Sequence, residues 1–294
     1  MTSAHVSPAH SAIRLSHYRI RHWLITALLL LVVALGSVIF ALPFVWMIST
    51  SFKSSDQVYL FPPVWIPDTF RWENYIDAWG RVPFPTFYKN TLIIVLLNQL
   101  GTLLSSASVA YGFARLRFRG RHFFFLLMLS TLMLPSQVTL IPTYFLFSKL
   151  GWVNSLRPLI IPVYFGSAFN IFLLRQYFMT ISPELDDAAK IDGCGFWGIF
   201  WRIIIPLSAP AMGVVAIFQF TYDWNNFFDP LIYINSPKYF PVALGLRMLQ
   251  GTLVQVPVQQ IMAMTLVSII PVLVVFVVAQ RSFIQGIVVT GVKG

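Results

Sequence analysis

Charge is scarce in this sequence, and negative charge most of all. Ten acidic and twenty basic residues among 294 make the chain 10% charged, whereas soluble domains are nearer one quarter charged. The single cysteine, Cys194, excludes an internal disulfide. No GxxxxGK[ST] stretch is present, which excludes nucleotide binding through a P-loop. The composition therefore excludes an ordinary soluble domain and an ATPase of the P-loop type.

Metal ligands and intramembrane charges are also missing. The five histidines (His5, His10, His17, His22 and His122) are scattered, with no cysteine or carboxylate at metal-binding spacing. No Asp, Glu, Lys or Arg lies in the middle of a long apolar run, although ion-coupled transporters generally need such groups. We therefore expect no metal site and no cofactor in this chain.

Long apolar runs dominate what remains. Six runs of roughly 17–26 residues are nearly free of charge, at 23–48, 91–113, 123–146, 158–174, 206–222 and 260–280. A helix of about 20 residues crosses a hydrocarbon core about 30 Å thick. The sequence therefore predicts an all-α polytopic membrane protein with six transmembrane helices. The first run is too long for a signal peptide and ends without a small-residue cleavage site, so we expect a retained anchor.

The basic residues predict the orientation. With a cytoplasmic N-terminus, the inner segments carry 12 Lys and Arg in 76 residues and the outer segments 8 in 90. The loop "ARLRFRGRH" at 114–122 gives the strongest bias. Beside two membrane spans, such a loop indicates topology rather than nucleic-acid binding, so we expect no nucleic-acid partner. Both termini are then cytoplasmic, and the acidic stretch "PELDDAAKIDG" lies between spans four and five on the same side.

This acidic stretch predicts a short helix with explicit ends. Ser182 is a suitable N-cap, Pro183 a suitable first residue, and Gly193 can adopt the left-handed conformation that ends a helix. A helical projection places Leu185, Ala188, Ala189 and Ile191 on one arc, opposite Asp186, Asp187 and Lys190. Asp186 and Lys190 are spaced as an i,i+4 pair. Two readings stay open: a helix that docks into a cleft through its methyl-sized face, or a solvated connector.

The residues around this helix resemble a known family. "ELDDAAKIDGCGFWGIFWRIIIPLSAP" is similar to the EAA loop of ATP-binding-cassette importer permeases of the carbohydrate uptake type. "YGFARLRFRGR" and "LPSQVTLIPTYFLFSKLG" before it, and "WNNFFDPLIYI" and "QRSFIQGIVVTGVKG" after it, extend the resemblance over about 85–294. The ending "GVKG" resembles the G-type permease of the maltose/maltodextrin group. The family usually has Glu where Asp187 stands and Ala where Cys194 stands.

The resemblance implies a type I importer permease fold, a function and several partners. The expected function is uptake of a sugar delivered by an extracytoplasmic binding protein, together with a second, F-type permease and a cytoplasmic ATPase dimer that binds ATP and Mg. The acidic helix would be the coupling helix that docks on that ATPase. The residues that the resemblance assigns to this coupling are Glu184, Asp187, Ala188, Ala189, Asp192, Gly193, Phe200 and Pro206.

The implied organisation has five segments: a cytoplasmic N-terminal segment (1–22), the first transmembrane helix (23–48), an outer loop (49–90), a five-helix core (91–281) with the EAA loop at about 179–206, and a cytoplasmic tail (282–294). The expected location is the bacterial inner membrane, with lipid around the spans. An ion-coupled secondary transporter is the alternative function.

Polar and aromatic residues within or beside the spans are candidates for a substrate path, because amides bond to sugar hydroxyls and aromatic rings pack on sugar C–H faces. The alternative for each is a hydrogen bond between packed membrane helices. The candidates are Asn98, Gln99, Gln137, Tyr144, Asn170, Gln219 and Trp224. The outer segment 223–259 is expected to face the binding protein. The segment 49–90, with Trp65, Trp72 and Trp79, would either share that surface or pack within the protein.

Overall fold

A computed structural model describes the backbone of residues 8–250 and 256–291, with side chains for 21–250 and 256–279. Within these ranges the chain is helical and contains no strand. The α-helices are, in chain order, α1 (Pro8–Ser51), α2 (Ser55–Val58), α3 (Glu73–Arg81), α4 (Phe84–Arg115), α5 (Arg121–Ser130), α6 (Ser136–Lys149), α7 (Arg157–Ile160), α8 (Ala168–Phe178), α9 (Pro183–Ile191), α10 (Phe196–Ile199), α11 (Ile205–Leu207), α12 (Ala209–Asn225), α13 (Phe228–Tyr233), α14 (Val242–Leu249) and α15 (Val258–Gly291).

Each of the six predicted apolar runs coincides with a segment long and apolar enough to cross a membrane. Four such segments are Arg21–Ser51, Phe84–Arg115, Arg157–Phe178 and Val258–Ala279. Each lies within one helix except the third, which runs from α7 to α8. Two further segments are bent pairs of helices, Arg121–Met133 with Ser136–Lys149 and Phe196–Leu207 with Ala209–Asn225. Six spans result when each bent pair is counted as one.

The run 123–146 does not form the straight span that its length predicts. The two helices on either side of Leu134 and Pro135 meet at 99°. Proline lacks the amide hydrogen that would continue a helix and forces the preceding residue out of the helical region, and Leu134 is accordingly extended, with ψ 116°. Pro142, in contrast, lies inside α6.

The fifth span also bends, and it extends beyond the predicted 206–222 at both ends, from Phe196 to Asn225. A π-helical turn, Phe200–Ile204, leads into α11, and the chain turns by 77° before α12. Pro210 occupies the first turn of α12, where its missing amide hydrogen is not needed. Because of the bend, the preceding helices are not in line with α12.

Helix α4 is the centre of the bundle and packs mainly against α8 and α12. Helix α15 packs against α1, α3 and α12. One buried apolar cluster joins α4, α8 and α12 to the segment 189–204. Helix α1, in contrast, exposes almost its whole described surface, including Trp23, Val33 and Phe40. This apolar surface suits contact with lipid.

The aromatic residues of segment 49–90 contact other rings of the chain. Trp65 packs on Trp46 at 5.1 Å between ring centroids, and Trp72 packs on Phe52 at 4.6 Å. Trp79 packs on Phe84, the first residue of α4. All three tryptophans therefore pack on rings of the chain, yet they remain 52%, 63% and 39% exposed, so both readings for this segment stay predictions.

Three of the predicted segments lie partly outside the described residues. These are the N-terminal segment (residues 1–7, and the side chains up to 20), the outer segment 223–259 (residues 251–255) and the C-terminal tail (residues 292–294, and the side chains from 280).

Candidate functional site

The acidic stretch forms helix α9 with the predicted ends. The Ser182 hydroxyl accepts a hydrogen bond from the Glu184 amide at 3.3 Å, which confirms the N-cap. At the other end Gly193 has φ +80°, its amide donates to Lys190 O, and the Cys194 amide donates to Ala189 O. These two bonds form a Schellman motif, so the left-handed conformation predicted for Gly193 is confirmed.

The faces of α9 differ from the predicted arcs. Asp186 and Ala189, spaced by three residues, are buried against the rest of the chain, whereas Leu185, Ala188 and Ile191 are exposed. The predicted apolar and charged arcs are therefore not the buried and exposed faces, because one residue of each arc, Ala189 and Asp186, is buried. A helical projection gives the angles between side chains, but it does not show which face of the helix is buried. That choice depends here on a basic residue from another helix, which pairs with Asp186.

That partner is Arg115, the last residue of α4. Its Nε lies 3.4 Å from Asp186 Oδ2, and the two side chains are only 8% and 10% exposed. Arg115 Nη2 also donates to Ile181 O at 2.8 Å, just before the N-cap of α9. The expected Asp186–Lys190 pair does not form; Lys190 instead donates to Asp187 Oδ1 at 2.7 Å on the exposed surface. Asp186 thus holds α9 on α4, whereas Asp187 is exposed to solvent.

A second connection between this region and α4 lies beside the ion pair. Tyr111, one helical turn before Arg115, donates from its hydroxyl to Phe196 O at 3.2 Å. Its ring packs on Phe200 at 5.1 Å between centroids. Phe200 is fully buried in the core cluster, and Pro206 is exposed at the bend. The assigned coupling residues therefore divide: Ala189 and Phe200 are buried in the chain, and the other six are exposed.

A charged cleft lies beside α9, and we call it the arginine cleft. Its volume is about 840 Å³, and its charged lining residues are Arg115, Arg117, Arg121, Asp186, Asp187 and Lys190. The hydrogen bond and charge of Lys190, with a smaller contribution from Arg117, hold the pKa of Asp187 below its usual value. Asp187 is therefore ionised at neutral pH.

Three of the seven predicted substrate-path residues, Asn98, Asn170 and Gln219, lie at cavities beside α4, α8 and α12. Asn98 is 1% exposed, and its Nδ2 donates to Leu159 O and to Asp223 Oδ1, at 3.0 and 2.9 Å. Gln219 Nε2 donates to the other oxygen of Asp223 at 2.9 Å. Asp223 thus receives one amide from each side, and it is buried.

Two cavities adjoin this group. The first, which we call the acidic cavity, measures about 170 Å³, and its polar lining residues are Asn98, Tyr222, Asp223, Asn226 and Asp229. The second, which we call the amide cleft, measures about 450 Å³, and its polar lining residues are Ser167, Asn170, Gln219 and Tyr222. Val163 and Tyr222 line both. Asn98, Asn170 and Gln219 therefore line two adjoining cavities.

The other four candidates make contacts within the protein. Gln99 donates to Ala216 O and joins α4 to α12, and Trp224 donates from its indole to Ser268 O and joins α12 to α15. Tyr144 stacks on Tyr233 at 6.3 Å between centroids. Gln137 is exposed near the Pro135 bend. None of the four lines the two cavities. For Gln99 and Trp224 the structure favours the packing alternative.

The sequence did not reveal two features of the site. One is the ion pair between Arg115 and Asp186. The other is a set of residues that line the acidic cavity: Tyr222, Asp223 and Asp229. Asp223 directly follows the predicted run 206–222, and its i,i+4 spacing to Gln219 is the sequence signal that could have found it. No sequence signal joins Arg115 to Asp186, which are 71 positions apart. Among the residues that the structure describes, no group of three or more His, Cys, Asp or Glu side chains could hold a metal.

Comparison with known sequences identifies the family. Residues 101–289 match the family model described as a binding-protein-dependent transport system inner membrane component. The probable ABC transporter permease protein YurM of Bacillus subtilis is 34% identical over 256 residues, 86% of this chain and 84% of YurM. The arabinooligosaccharides transport system permease protein AraQ of Halalkalibacterium halodurans is 34% identical, over 86% of this chain and 91% of AraQ. The diacetylchitobiose uptake system permease protein NgcG of Streptomyces coelicolor is 32% identical, over 84% and 82%.

Solved structures agree on the fold. A bacterial ABC transporter involved in the import of the acidic polysaccharide alginate has a chain that superposes with a TM-score of 0.76, at 24% identity, over 95% of this chain and 99% of that one. A bacterial alginate ABC transporter in complex with an alginate pentasaccharide-bound periplasmic protein gives 0.63 at 18% identity, over 91% and 96%. The six apolar segments, the EAA-type helix α9 and these matches together place the chain in the family of binding-protein-dependent transport system inner membrane components, as a non-catalytic permease subunit of an ABC importer.

Proposed function

We propose that the chain is the G-type permease of an importer that takes up a saccharide delivered by an extracytoplasmic binding protein. Its partners would be a second, F-type permease and a cytoplasmic ATPase dimer. Relatives named for arabinooligosaccharides and diacetylchitobiose support the carbohydrate assignment. The chain would lie in the bacterial inner membrane with both termini cytoplasmic, as its distribution of basic residues predicts.

The buried Arg115–Asp186 pair is the observation that carries the coupling role. It ties α9 to the end of α4, and the Tyr111–Phe196 hydrogen bond makes a second tie one turn away. Asn98 lies on the same helix α4, at the acidic cavity. A rigid helix that is held at both places would transmit a displacement of α9 to the cavity, as in domain-closure transitions.

The exposed side of α9 supplies a docking surface for the ATPase. Glu184, Asp187 and Ala188 are exposed there, and the arginine cleft opens beside them. The acids of α9 and the arginines of the cleft lie side by side, and this arrangement favours a polar partner surface of complementary charge. The methyl side chain of Ala188 lets another protein approach the helix closely.

The test replaces a side chain of this surface without disturbing the bundle. Ala188→Trp is expected to leave the purified chain folded but to prevent co-purification of the ATPase, because the indole would occupy space that a methyl leaves free. Ala188→Ser is the matched control and should bind the ATPase normally. Ala189→Trp is not suitable, because Ala189 is buried against the chain's own core. Normal ATPase binding and stimulated hydrolysis in Ala188→Trp would refute docking at this surface.

The proposed orientation has a separate test. In a Cys194→Ser background, single cysteines at Tyr59 and Lys238, both exposed, should react with an impermeant maleimide added from outside. A cysteine at the exposed position Glu184 should react only after the membrane is permeabilised. The opposite pattern would invert the topology and would place α9 away from any cytoplasmic ATPase.

A further inference from the structure

The residues of the acidic cavity indicate whether the substrate is charged, which membership of the family does not. Relatives of the chain include permeases named for arabinooligosaccharides and diacetylchitobiose, but also for polygalacturonan and sn-glycerol-3-phosphate, and the structural neighbour transports an acidic polysaccharide. Membership of the family therefore leaves open whether the substrate is neutral or anionic. We propose that this permease passes a neutral, hydroxyl-rich saccharide and excludes anionic ones, an inference that rests on the proposed function.

The first argument is the charge that lines the path. Asp223 and Asp229 both line the acidic cavity, and no Lys, Arg or His side chain lines either that cavity or the amide cleft. A carboxylate or phosphate on the substrate would meet two like charges and no counter-charge. Proteins that recognise such anions use the bidentate donors of arginine or the ammonium of lysine. The sequence has basic residues to supply, but none is placed here.

The second argument is a buried acceptor without a donor. Asn98 Oδ1 is buried and has no hydrogen-bond partner, although Asn98 lines the acidic cavity. The amide cannot simply be turned over, because Nδ2 already donates to Leu159 O and to Asp223 Oδ1. An unsatisfied buried acceptor is costly. This acceptor favours a ligand that carries hydrogen-bond donors, once a small side-chain movement exposes Asn98 Oδ1 to the cavity.

The hydrogen bonds of the acids point to the same ligand chemistry. Asp229 Oδ2 accepts from the Tyr222 hydroxyl at 3.0 Å and from Asn226 Nδ2 at 2.8 Å, so these donors of the cavity are already engaged by protein. What the cavity offers to a ligand is therefore mainly acceptor oxygen. Saccharide hydroxyls are donors that suit carboxylate and amide oxygens. In the adjoining amide cleft, Asn170 and Gln219 bring amide groups, beside the aromatic ring of Phe169.

The two spaces differ in size. The acidic cavity of about 170 Å³ is below the usual range for a whole drug-sized ligand, whereas the amide cleft of about 450 Å³ falls within it. Tyr222 lines both, together with Val163. A saccharide bound in either space would therefore contact the ring of Tyr222.

The experiment compares two probes that differ only at one carbon, glucose and glucuronate. Saturation-transfer NMR on the detergent-purified importer complex measures binding of each without requiring transport. We expect glucose to bind about tenfold more tightly than glucuronate, since a charge-assisted hydrogen bond replaced by like-charge repulsion is worth about that factor. In the double variant Asp223→Asn and Asp229→Asn, which keeps the side-chain shapes, glucose binding should weaken and the preference should shrink to about twofold.

The control is Asp77→Asn, which removes an exposed acid of α3 that lines neither cavity. Its preference should match the wild type. Equal binding of the two probes by the wild type, or an unchanged preference in the double variant, would overturn the proposal. Loss of the glucose signal on addition of Ca²⁺ would assign the cavity to a cation and would also overturn it.

Failure of the proposed function gives a different result. Proteoliposomes that contain the complete complex and its binding protein would be tested with arabinooligosaccharides and with galacturonan oligosaccharides. Uptake of the acidic oligosaccharide refutes neutral selectivity but leaves the carbohydrate importer intact. Uptake of neither, by a complex that assembles and hydrolyses ATP, would refute the carbohydrate function and the selectivity with it.

Discussion

Removal of Asp186 should release the coupling helix from the bundle. In the variant Asp186→Ala, Arg115 keeps its charge at the end of α4 but loses the only acidic side chain in ion-pair distance among the described residues. Its hydrogen bond to Ile181 O remains, so the guanidinium is not left wholly without a partner. The variant therefore removes the tie between the two helices while leaving the spans themselves unchanged.

The structure sets the size of the effect. Breaking a buried ion pair by removing one partner costs about 3–5 kcal/mol, because a buried charge is left uncompensated. The lower end applies here, since the pair is 3.4 Å apart and lies beside the 840 Å³ arginine cleft, where water can approach. If the whole of about 3 kcal/mol appears as local opening of α9, the open population rises about a hundredfold.

The single cysteine provides the assay. Cys194 lies three residues after the end of α9, is half-buried, and packs against the core cluster that contains Ala189 and Phe200. Its alkylation rate in the purified chain reports opening of this region without any added label. We expect Asp186→Ala to accelerate alkylation by between tenfold and a hundredfold, approximately, because some reaction already occurs through the exposed part of the thiol.

Two comparisons decide the result. Asp187→Ala removes the exposed neighbour and should leave the rate near that of the wild type, since exposed pairs contribute little. The double variant Arg115→Met with Asp186→Leu should recover most of the protection, because two apolar groups leave no buried charge. Equal rates for Asp186→Ala and Asp187→Ala would refute the claim that the buried pair holds α9 on α4.

Three further outcomes follow from single positions. Gly245→Ala should destabilise the chain by about 1–3 kcal/mol in thermal unfolding, since the new methyl would lie 2.1 Å from the buried ring of Phe87, whereas Gly80→Ala, with nothing within 4 Å, should not destabilise it. Gly193→Ala should speed Cys194 alkylation, because a left-handed residue other than glycine costs about 1–2 kcal/mol, and Gly193→Asn should do so less. Burial lowers the pKa of Lys53, so the unfolded chain binds more protons at this residue than the folded chain does. The free energy of unfolding should therefore rise as the pH increases toward the ordinary pKa of lysine. Lys53→Met should abolish this rise, and a rise that persists in the variant would contradict the argument.

The sequence determined the membrane class, the positions of the apolar segments and the ends of α9. These features depend on local properties: the length of an apolar run against the thickness of the bilayer, and the capping preferences of Ser182 and Gly193. Such properties act within a few residues, so a sequence reading captures them. The EAA pattern likewise lies within a single continuous stretch, and family comparison confirmed the importer assignment that it predicted.

Tertiary structure alone decided which face of α9 is buried and which polar residues form a cavity. The helical projection fixed the angles between Asp186 and Ala188, but the choice of buried side depended on Arg115, which arrives from a different helix. In the same way Gln99 and Asn98 are neighbours in sequence, yet one joins two helices and the other lines a cavity. Their roles differ because successive helical residues point about 100° apart, and what each then meets is set by the packing of α8 and α12 against α4.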